Sequence, residues 1–335
     1  MAALAYSFLN QNIDYSARIK AELGNCLNEV SMPLARKTSG KVRDVYDLGA
    51  HLLLITTDRQ SAFDRVLACV PFKGQVLNQI SAWWFEQTRD IVTNHFVELP
   101  DPNAMLARKC VVFPIEFVVR GYITGSTSTA LWSQYQQGAR EYCGNRLSEG
   151  LVKNQVLETP ILTPTTKDAE HDRPIAPAAI IAENRMTASE WEACSQIAFN
   201  LFKRGQQLAR QNGLILVDTK YEMGRDEVGN IVLIDEVHTP DSSRYWIAAS
   251  YAELFRNGQE PENIDKEFLR LWFKEHCNPY QDKTLPAAPE DLVIELSRRY
   301  IYLYEMITGQ PFDFPSEDET LLQRMQRNLS RFTHA

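Results

Sequence analysis

The sequence predicts an α+β fold made of two lobes, on the basis of its length and the distribution of its segments. At 335 residues the chain is long for one domain and short for three. β-like patterns prevail near the N-terminus, where KVRDVYDLGAHLLLITTDR contains two short apolar runs joined by a turn at Leu48–His51. Helical patterns prevail towards the C-terminus. We therefore expect a β-rich lobe over residues 1–113 and an α+β lobe over residues 114–335.

Helices are predicted from residue patterns and from signals at their ends. Thr187 and Glu190 form a capping-box pattern, and Gly213 ends the helix that follows. Gly309 ends a C-terminal helix in the same way. The expected helices are Ile13–Val30, Asn78–Thr93, 187–213, Asp265–His276 and Glu290–Ile307.

Prolines mark two segments between these elements. The apolar run Cys110–Arg120 is interrupted by Pro114, which favours an edge strand or a crossover between lobes because proline cannot donate to a sheet. Asn154–Ala178 contains Pro160, Pro164, Pro174 and Pro177. That composition predicts a long irregular connection, and such loops are usually functional inside a compact domain.

Composition argues against several classes of protein. The formal net charge of -8 argues against nonspecific nucleic-acid binding. No apolar run approaches the roughly eighteen residues of a membrane span, and the N-terminus lacks the pattern of a signal peptide. The six cysteines are scattered without a CxxC pair or a short Cys/His spacing. We therefore expect a cytoplasmic protein with reduced thiols.

The most informative segment is Leu214–Trp246, in which two apolar strands flank a polar turn. Alternate residues of a strand share one face, so Asp218, Lys220 and Glu222 project together. A hairpin would bring Asp235 roughly diagonal to Glu222, about 7–8 Å away. Two such carboxylates can share a hard divalent cation that also keeps waters and a phosphate. A solvated hairpin is the alternative, although VLIDEV is very apolar for a surface ribbon.

Two cation-bearing turns suit phosphate groups. Gly40 lies beside Lys41 and Arg43, and a glycine allows the backbone to approach a ligand. A solvated face is the commoner explanation of such a triplet. Arg120 precedes a Gly/Ser/Thr loop containing Ser126, where hydroxyls, helix N-terminal amides and an arginine could converge on one phosphate. An ordinary N-cap turn explains that loop equally well.

Two more polar segments complete the set. Pro240–Arg244 follows the acidic strand directly, so its serine and arginine side chains could finish the same phosphate pocket. Thr57–Asp64 could close over a substrate, or it could be a plain acidic turn. Together these segments describe one site for a metal and two phosphate-bearing ligands.

Six segments of the chain resemble the SAICAR synthetase family of de novo purine biosynthesis. They occur in the family's order between residues 39 and 246, and they read SGKVRDVYDLG, TTDRQSAFD, PIEFVVRGYITGS, TPTTKDAEHD, LVDTKYEMG and LIDEVHTPDSSRYW. The TPTTKDAEHD segment and the overall length resemble the longer, single-function form of the family. The resemblance implies two α+β lobes, distantly similar to ATP-grasp enzymes and protein kinases, with the nucleotide between them.

The resemblance also implies a reaction. Members of the family use ATP and Mg²⁺ to join L-aspartate to the carboxylate of carboxyaminoimidazole ribotide (CAIR), giving SAICAR, ADP and phosphate. A carboxylate is a poor acyl donor, so phosphorylation first creates a good leaving group, which the aspartate amine displaces. The protein would act mainly by positioning and charge neutralisation.

The matching motifs imply which residues would handle ATP and the metal. The residues implied to bind ATP are Lys41, Arg43, Lys167, Lys220 and the backbone near Val112. Glu222 and Asp235 would hold magnesium. The side chains implied to have catalytic roles are Lys220, Asp218 and Asp172, the last of them from the long loop.

The same motifs imply a substrate pocket. The ribotide 5′-phosphate would bind Arg120, Ser126 and Arg244, and Asp241 and Ser243 would line the rest of the CAIR site. Candidates near the L-aspartate site are Asp58, Ser61 and Asp64. The expected partners are therefore small molecules, with no nucleic acid and no membrane, and the chain is expected to be a monomer or a small homo-oligomer.

Two other functions compete with this interpretation. A small-molecule kinase of the same two-lobed fold would also use ATP and magnesium, but would leave the phosphate on a hydroxyl and need no aspartate. A nucleotide-binding regulatory module would not turn over. Intact Lys220, Glu222 and Asp235 argue against a regulatory module, since a decayed site usually loses a charged residue first.

Overall fold

The computed structural model describes residues 14–33, 36–63, 65–127, 129–168, 172–264 and 266–333. The strands in this part of the chain are β1 (Lys37–Ser39), β2 (Arg43–Asp47), β3 (His51–Thr56), β4 (Arg59–Ala62), β5 (Arg65–Cys69), β6 (Phe96–Asp101), β7 (Ala104–Arg108), β8 (Val111–Tyr122), β9 (Glu141–Tyr142), β10 (Asn145–Arg146), β11 (Val156–Leu162), β12 (Thr165–Thr166), β13 (Leu214–Arg225), β14 (Ile231–Ile234) and β15 (Ser243–Ile247). The α-helices are α1 (Ser16–Ala21), α2 (Lys73–Gln87), α3 (Leu131–Gln136), α4 (Pro177–Ala182), α5 (Ala188–Gln211), α6 (Ala248–Arg256), α7 (Glu267–His276), α8 (Glu290–Thr308) and α9 (Leu321–Leu329). None of these helices has the length and apolar character needed to cross a membrane.

An antiparallel five-stranded sheet occupies the N-terminal region, in the order β1-β2-β3-β7-β6. The predicted turn at Leu48–His51 is confirmed, because it joins β2 to β3 and the Leu48 N–H donates to the His51 carbonyl at 2.9 Å. Alternation along β2 buries Asp44 and Tyr46 and leaves their neighbours half-buried. One face of this sheet therefore enters an apolar core.

The C-terminal helix α9 completes this N-terminal core. Met325 and Leu329 pack with Tyr46 and Leu53. Buried Arg324 anchors the helix, since its guanidinium lies 3.0 Å from an Asp101 oxygen. A helix near the C-terminus thus packs against the N-terminal five-stranded sheet.

The second sheet has six strands and is built around two long ones. β8 pairs with β13, β14 follows β13, and β11, β12 and β15 fill the remaining edges. Every pairing within this sheet is antiparallel. Helix α5 packs on its β13 side, so charged residues can gather only on the opposite face or at the strand ends.

The edge-strand alternative for Cys110–Arg120 is wrong, because β8 lies between β11 and β13 in the six-stranded sheet. The crossover alternative stays a prediction. Pro114 is tolerated in β8 by a bulge. On the β13 side, Glu222 pairs with Glu116 and Gly224 pairs with Val112, so Phe113, Pro114 and Ile115 lie opposite Met223 alone. A proline in this interruption removes no hydrogen bond from the β8–β13 ladder.

The irregular connection expected over Asn154–Ala178 is also partly wrong. Its first half forms β11 and β12, which pair with β8. Pro160 lies where the β11 register shifts, and β11 is at the sheet edge, so the missing N–H is again harmless. Of the described residues, those from Lys167 up to α4 keep the irregular conformation that was predicted.

The helix predictions divide into accurate and inaccurate ones. The capping box at Thr187 and Glu190 is present at the start of α5, and Gly309 ends α8 at φ +70°. The N-terminal helix is shorter than Ile13–Val30, since Gly24 and Asn25 favour a 3₁₀ turn over an α-helix. Helix α2 begins before Asn78 and stops well short of Thr93.

The lobe boundary at residue 113 falls inside β8, and one apolar core extends from α2 across β8 to α8. The five-stranded sheet nevertheless ends before that boundary and the six-stranded sheet begins beside it. The division at 113/114 stays a prediction.

His238 joins the two halves of this core and gives stability a pH dependence. Its ring meets Trp84 of α2 edge-on at 4.5 Å and lies 2.5 Å from the Tyr221 hydroxyl of β13. Burial lowers the pKa of His238 to about 3. As the pH falls through about 6.5, His238 therefore binds a proton in the unfolded chain but not in the folded chain. The free energy of unfolding decreases as a result.

We expect the free energy of unfolding to fall by roughly 2 kcal/mol between about pH 6.5 and pH 5 on account of His238. Urea unfolding of the wild type and of His238→Gln across this range measures it, and the variant should show a shallower slope. Exposed His276→Gln is the control and should keep the wild-type slope. Equal slopes in wild type and His238→Gln would contradict the assignment.

Candidate active site

The register of β8 and β13 places charged residues opposite one another. Asp218 pairs with Arg120, and Glu222 pairs with Glu116. Directly paired residues point to the same face of a sheet, and Lys220 lies between the two pairs at the strand period of two. The prediction that Asp218, Lys220 and Glu222 share one face is thereby confirmed.

At one end of this face, two lysines meet two glutamates. The Lys220 ammonium lies 2.9 Å from Glu116 and 3.2 Å from Glu222. Lys167, from the loop after β12, reaches the other Glu222 oxygen at 2.5 Å. Burial alone would lower the pKa of Lys220, but Glu222 and Glu116 raise it well above its ordinary value. Lys220 is therefore a fixed positive charge.

Glu116 was missed by the sequence analysis, although a signal for it existed. It stands four residues before Arg120 on β8, so the strand period alone places both on the same face. Burial raises the pKa of Glu116, but the net effect of Lys220 is to lower it. The Thr165 hydroxyl also donates to this carboxylate at 3.0 Å.

Asp172 approaches the same cluster from the long loop. Burial and the neighbouring Glu116 charge raise the pKa of Asp172, while Lys167 and Lys220 oppose that shift. The pKa of this exposed carboxyl therefore responds to the charges of the lysine–glutamate cluster, and the catalytic role of Asp172 stays a prediction. Residues 169–171 of the TPTTKDAEHD segment lie outside the described residues.

Asp235 reaches the site by a different route from the one predicted. Ile234, not Asp235, pairs with Glu222, so a regular strand would point Asp235 to the opposite face. The strand ends at Ile234, and Asp235 has a left-handed backbone at φ +68°. Its carboxylate accordingly meets Arg43 instead of packing behind the sheet.

Arg43 is held by two acidic residues. Its guanidinium donates to Asp235 and lies 3.4 Å from Glu236, which the sequence analysis did not single out. Burial raises the pKa of Asp235, but the Arg43 and Lys220 charges outweigh it and leave that pKa below its usual range. The pKa of Glu236 is raised, chiefly by burial. Lys41, the other predicted cation of this turn, is exposed.

At the other end of the charged face, two arginines share Asp218. Arg244 of β15 donates to its Oδ2, and Arg120 approaches the same oxygen at 3.4 Å. Arg120 also donates to the Thr163 hydroxyl at 2.8 Å. Both predicted phosphate-binding arginines are thus brought together, with a carboxylate between them.

These arginines border a cavity of about 210 Å³. Its basic lining residues are Arg120, Lys220, Arg244, Lys266 and Arg270, and its acidic ones are Asp218, Asp241 and Glu267. The excess of cations favours an anionic ligand. Lys266 and Arg270 belong to the start of α7, and no motif in the sequence marked them.

The Ser126 loop reaches the rim of this cavity. Its hydroxyl donates to Glu267 at 2.5 Å, so the side chain contacts a lining residue without lining the cavity itself. Gly125 has φ +100°, and a Cβ there would lie 2.6 Å from the Ala130 Cβ and 3.4 Å from Arg244. Glycine therefore lets this loop run close to Arg244.

Asp241 and Ser243 line the cavity but already have protein partners. Asp241 accepts from buried Lys73 and from the Tyr300 hydroxyl, each at 2.7 Å. Burial raises the pKa of Asp241, but Lys266 and Lys73 bring it below its ordinary value. The Ser243 hydroxyl donates to Thr219 at 2.7 Å.

The adenine and aspartate predictions meet different surroundings. Val112, at the start of β8, is 47% exposed, whereas the next residue, Phe113, is buried. The backbone near Val112 is therefore at the surface, where a ligand could reach it. Asp58 is buried, and its carboxylate accepts from the Leu27 and Gly74 amides at 2.7 and 2.8 Å. Both oxygens are thus held by backbone amides, which gives Asp58 a structural role. Ser61 is half-buried, and Asp64 lies outside the described residues.

Asp218→Asn tests the paired-charge interpretation of this face. Removing the shared carboxylate charge leaves buried Arg120 without its counter-ion, so we expect a loss of about 3 kcal/mol in the free energy of unfolding, measured in urea. The control is Asp90→Asn, which breaks an exposed ion pair with Arg204 and should leave stability nearly unchanged. Equal effects of the two substitutions would contradict this account.

Comparisons with known proteins show which family the chain resembles in sequence and in fold. The family model for SAICAR synthetase matches residues 36–287. The phosphoribosylaminoimidazole-succinocarboxamide synthase of Legionella pneumophila (strain Paris) is 60% identical over 307 residues, covering 92% of this chain and 98% of the relative. The chloroplastic enzyme of the same name from Arabidopsis thaliana is 58% identical over 327 residues, covering 96% and 80% respectively.

A solved structure gives the same result at the level of the fold. The SAICAR synthase from Saccharomyces cerevisiae, complexed with SAICAR, is 32% identical and superimposes with a TM-score of 0.72, covering 85% of this chain and 98% of that one. The α+β fold expected from the sequence is confirmed by this match. Sequence, fold and relatives together show that the chain belongs to the SAICAR synthetase family.

Proposed function

We propose that this protein is an ATP- and Mg²⁺-dependent ligase that joins L-aspartate to the carboxylate of CAIR, producing SAICAR, ADP and phosphate. One observation carries the proposal beyond family membership. A single sheet face carries the lysine–glutamate cluster at one end and an arginine-rich cavity at the other, and Lys220 borders both. Such a face can bring a nucleotide phosphate to a second anionic substrate.

The lysine–glutamate cluster suits the phosphoryl-transfer half of the reaction. Lys220 and Lys167 carry charges that can neutralise the oxygens of a transferring phosphate. Glu222 pairs with both lysines. With Mg²⁺ held by Glu222 and Asp235, Lys167 and Lys220 would be the cations that face the nucleotide phosphates.

The residues present fit a magnesium ion in their chemistry. Glu222 and Asp235 offer carboxylate oxygens, the ligands preferred by hard cations, and Lys220 influences both. Within the described part of the chain no three His, Cys, Asp or Glu side chains converge as a metal cage. Waters and nucleotide phosphates would supply the remaining ligands, as is usual for Mg²⁺. When bound, the ion would neutralise phosphate charge.

The arginine-rich cavity suits the ribotide. Arg120 and Arg244 would hold its 5′-phosphate by charge-assisted hydrogen bonds, with Ser126 at the rim. Asp241 and Ser243 would face the remainder of CAIR. The yeast SAICAR synthase was solved in complex with SAICAR, which supports a product site on this fold.

The nucleotide would lie at the entrance between the two sheets. Lys41 lies on the turn before β2, and Arg43 is the first residue of β2. Both side chains would face the ATP phosphates, and the backbone near Val112 would contact the adenine. Asp172 and Lys167 would close the loop over ATP and substrate. Asp218 would hold Arg120 and Arg244 in position. Together with Lys220 it would have a catalytic role.

The first experiment is a coupled measurement of SAICAR and ADP. Purified protein is given ATP, Mg²⁺ and CAIR, with and without L-aspartate, while SAICAR is followed by absorbance and ADP by chromatography. Aspartate-dependent SAICAR formation, matched one-to-one by ADP, is the expected result. Phosphorylated substrate that accumulates without aspartate would identify a kinase instead.

Asp235→Asn tests the metal assignment. The substitution removes one of two carboxylate ligands, so we expect Mg²⁺-dependent turnover to fall below detection while the fold is retained in circular dichroism. Asp226→Asn, in the turn between β13 and β14, alters an acid outside the cluster and should keep activity. Normal turnover and normal magnesium dependence in Asp235→Asn would overturn the assignment.

Arg244→Ala tests which phosphate uses the cavity. We expect the KM for CAIR to rise by roughly a hundredfold, as for the loss of one charge-assisted contact, with the KM for ATP little changed. Steady-state kinetics with each substrate varied in turn provides the measurement. A selective rise in the KM for ATP would show that the two phosphate sites had been interchanged.

Predictions about the protein's surroundings remain to be tested. The cytoplasmic location, the small homo-oligomer or monomer, and the exclusive use of small-molecule partners belong to this proposal and rest on composition. The Arabidopsis relative is chloroplastic by name, so location varies among relatives.

A further inference from the structure

We propose that Arg59 is a positioning residue for ATP, because its side chain binds the backbone of the turn that carries Lys41 and leads into Arg43. This inference rests on the proposed function of that turn, here named the Gly40–Val42 turn after the residues that form it. Arg59 belongs to the TTDRQSAFD segment, for which sequence analysis offered a substrate lid, an acidic turn or candidates near the L-aspartate site, but no role for Arg59 itself.

The Arg59 guanidinium makes several hydrogen bonds to this turn. It donates to the Gly40 carbonyl at 3.0 Å and to the Lys41 carbonyl at 3.1 Å. A third bond, at 2.5 Å, reaches the Asn28 carbonyl in the adjacent segment. Arginine alone among the side chains offers several donors in one rigid plane, so a single residue can gather these carbonyls.

Neighbouring contacts secure the same turn. The Thr57 amide and hydroxyl both donate to the Val42 carbonyl, at 3.0 and 2.8 Å. The Gly40 amide donates to the Arg43 carbonyl at 2.7 Å and closes the turn on itself. The carbonyls of all three turn residues thus point into the protein, towards Thr57 and Arg59.

The guanidinium of Arg59 is paired with a buried carboxylate. Fully buried Asp44 lies 3.1 Å from its Nη2 and also 3.2 Å from Lys37. The Arg59 side chain is only 11% exposed. It therefore acts on the nucleotide through the backbone of the Gly40–Val42 turn, whereas Lys41 stands exposed on that turn.

A matched arginine exists in helix α9, which packs on the five-stranded sheet. As a whole residue Arg324 is 7% exposed, against 9% for Arg59, and it too pairs with a fully buried aspartate, Asp101. Its bonds go to Asp101 and Asn103, and none of those described involves the Gly40–Val42 turn. Loss of either arginine should lower the free energy of unfolding, but only loss of Arg59 should remove hydrogen bonds to the Gly40–Val42 turn.

The test compares Arg59→Gln, Arg59→Lys and Arg324→Gln with the wild type. For Arg59→Gln we expect the KM for ATP and the Kd for MgADP to rise by roughly tenfold, while the KM values for CAIR and L-aspartate stay within about twofold. Arg59→Lys keeps the charge and one donating centre, so an intermediate rise is expected. Arg324→Gln should lose thermal stability and keep the wild-type KM for ATP.

Thr57→Val keeps the test decisive if Arg59→Gln fails to fold. It removes a single hydroxyl bond to Val42 while leaving the shape of the side chain, and the KM for ATP should rise by roughly threefold. An unchanged KM for ATP in Arg59→Lys and Thr57→Val would overturn the inference. Equal rises for all three substrates in Arg59→Gln would also overturn it, since they indicate general damage.

Calorimetric titration with MgADP separates this inference from the proposed function. If the wild type forms no SAICAR, the proposed function fails. If the wild type forms SAICAR but Arg59→Gln binds MgADP as tightly as Arg324→Gln does, the positioning inference alone fails.

Discussion

The rest of the site depends on the pairing of β8 with β13. That register sets Arg120 opposite Asp218 and Glu116 opposite Glu222, with Lys220 between them. Charges buried in a sheet are tolerated only with a partner, because desolvation of an isolated ion costs several kcal/mol. Each charged group on this face accordingly has an opposite charge within reach, and a ligand must exchange partners with the protein in order to bind.

The proposed function requires this face to serve two anionic substrates. At one end, phosphate oxygens would replace Glu222 at Lys167 and Lys220, and Mg²⁺ would take the freed carboxylate. At the other end, Asp218 holds Arg120 and Arg244 side by side. Arginines held in this way would need little reorganisation to bind a phosphate, and such electrostatic preorganisation is a large part of what a protein contributes to phosphoryl transfer.

Supporting contacts come both from helices outside the motifs and from the TTDRQSAFD segment. Lys73 of α2 and Tyr300 of α8 hold Asp241, and Lys266 approaches it from the start of α7. Arg59 and Thr57 hold the turn beneath Lys41. Apart from Lys266, which lines the cavity, these residues are buried, so their effect on substrates passes through the groups that they orient. Sequence motifs describe the ligand-facing side of the site more completely than its support.

The sequence by itself determined the fold class, the acidic hairpin, the shared face of Asp218, Lys220 and Glu222, and the capped helix α5. These features are local, because strand and helix periods act over a few residues. Only the tertiary structure decided the central position of β8, where a bulge absorbs Pro114, and the left-handed backbone that turns Asp235 towards Arg43. It also decided that Asp58 is structural and that Glu116 joins Lys220. Strand neighbours, bulges and buried charge partners depend on residues distant in the chain, which no local pattern encodes.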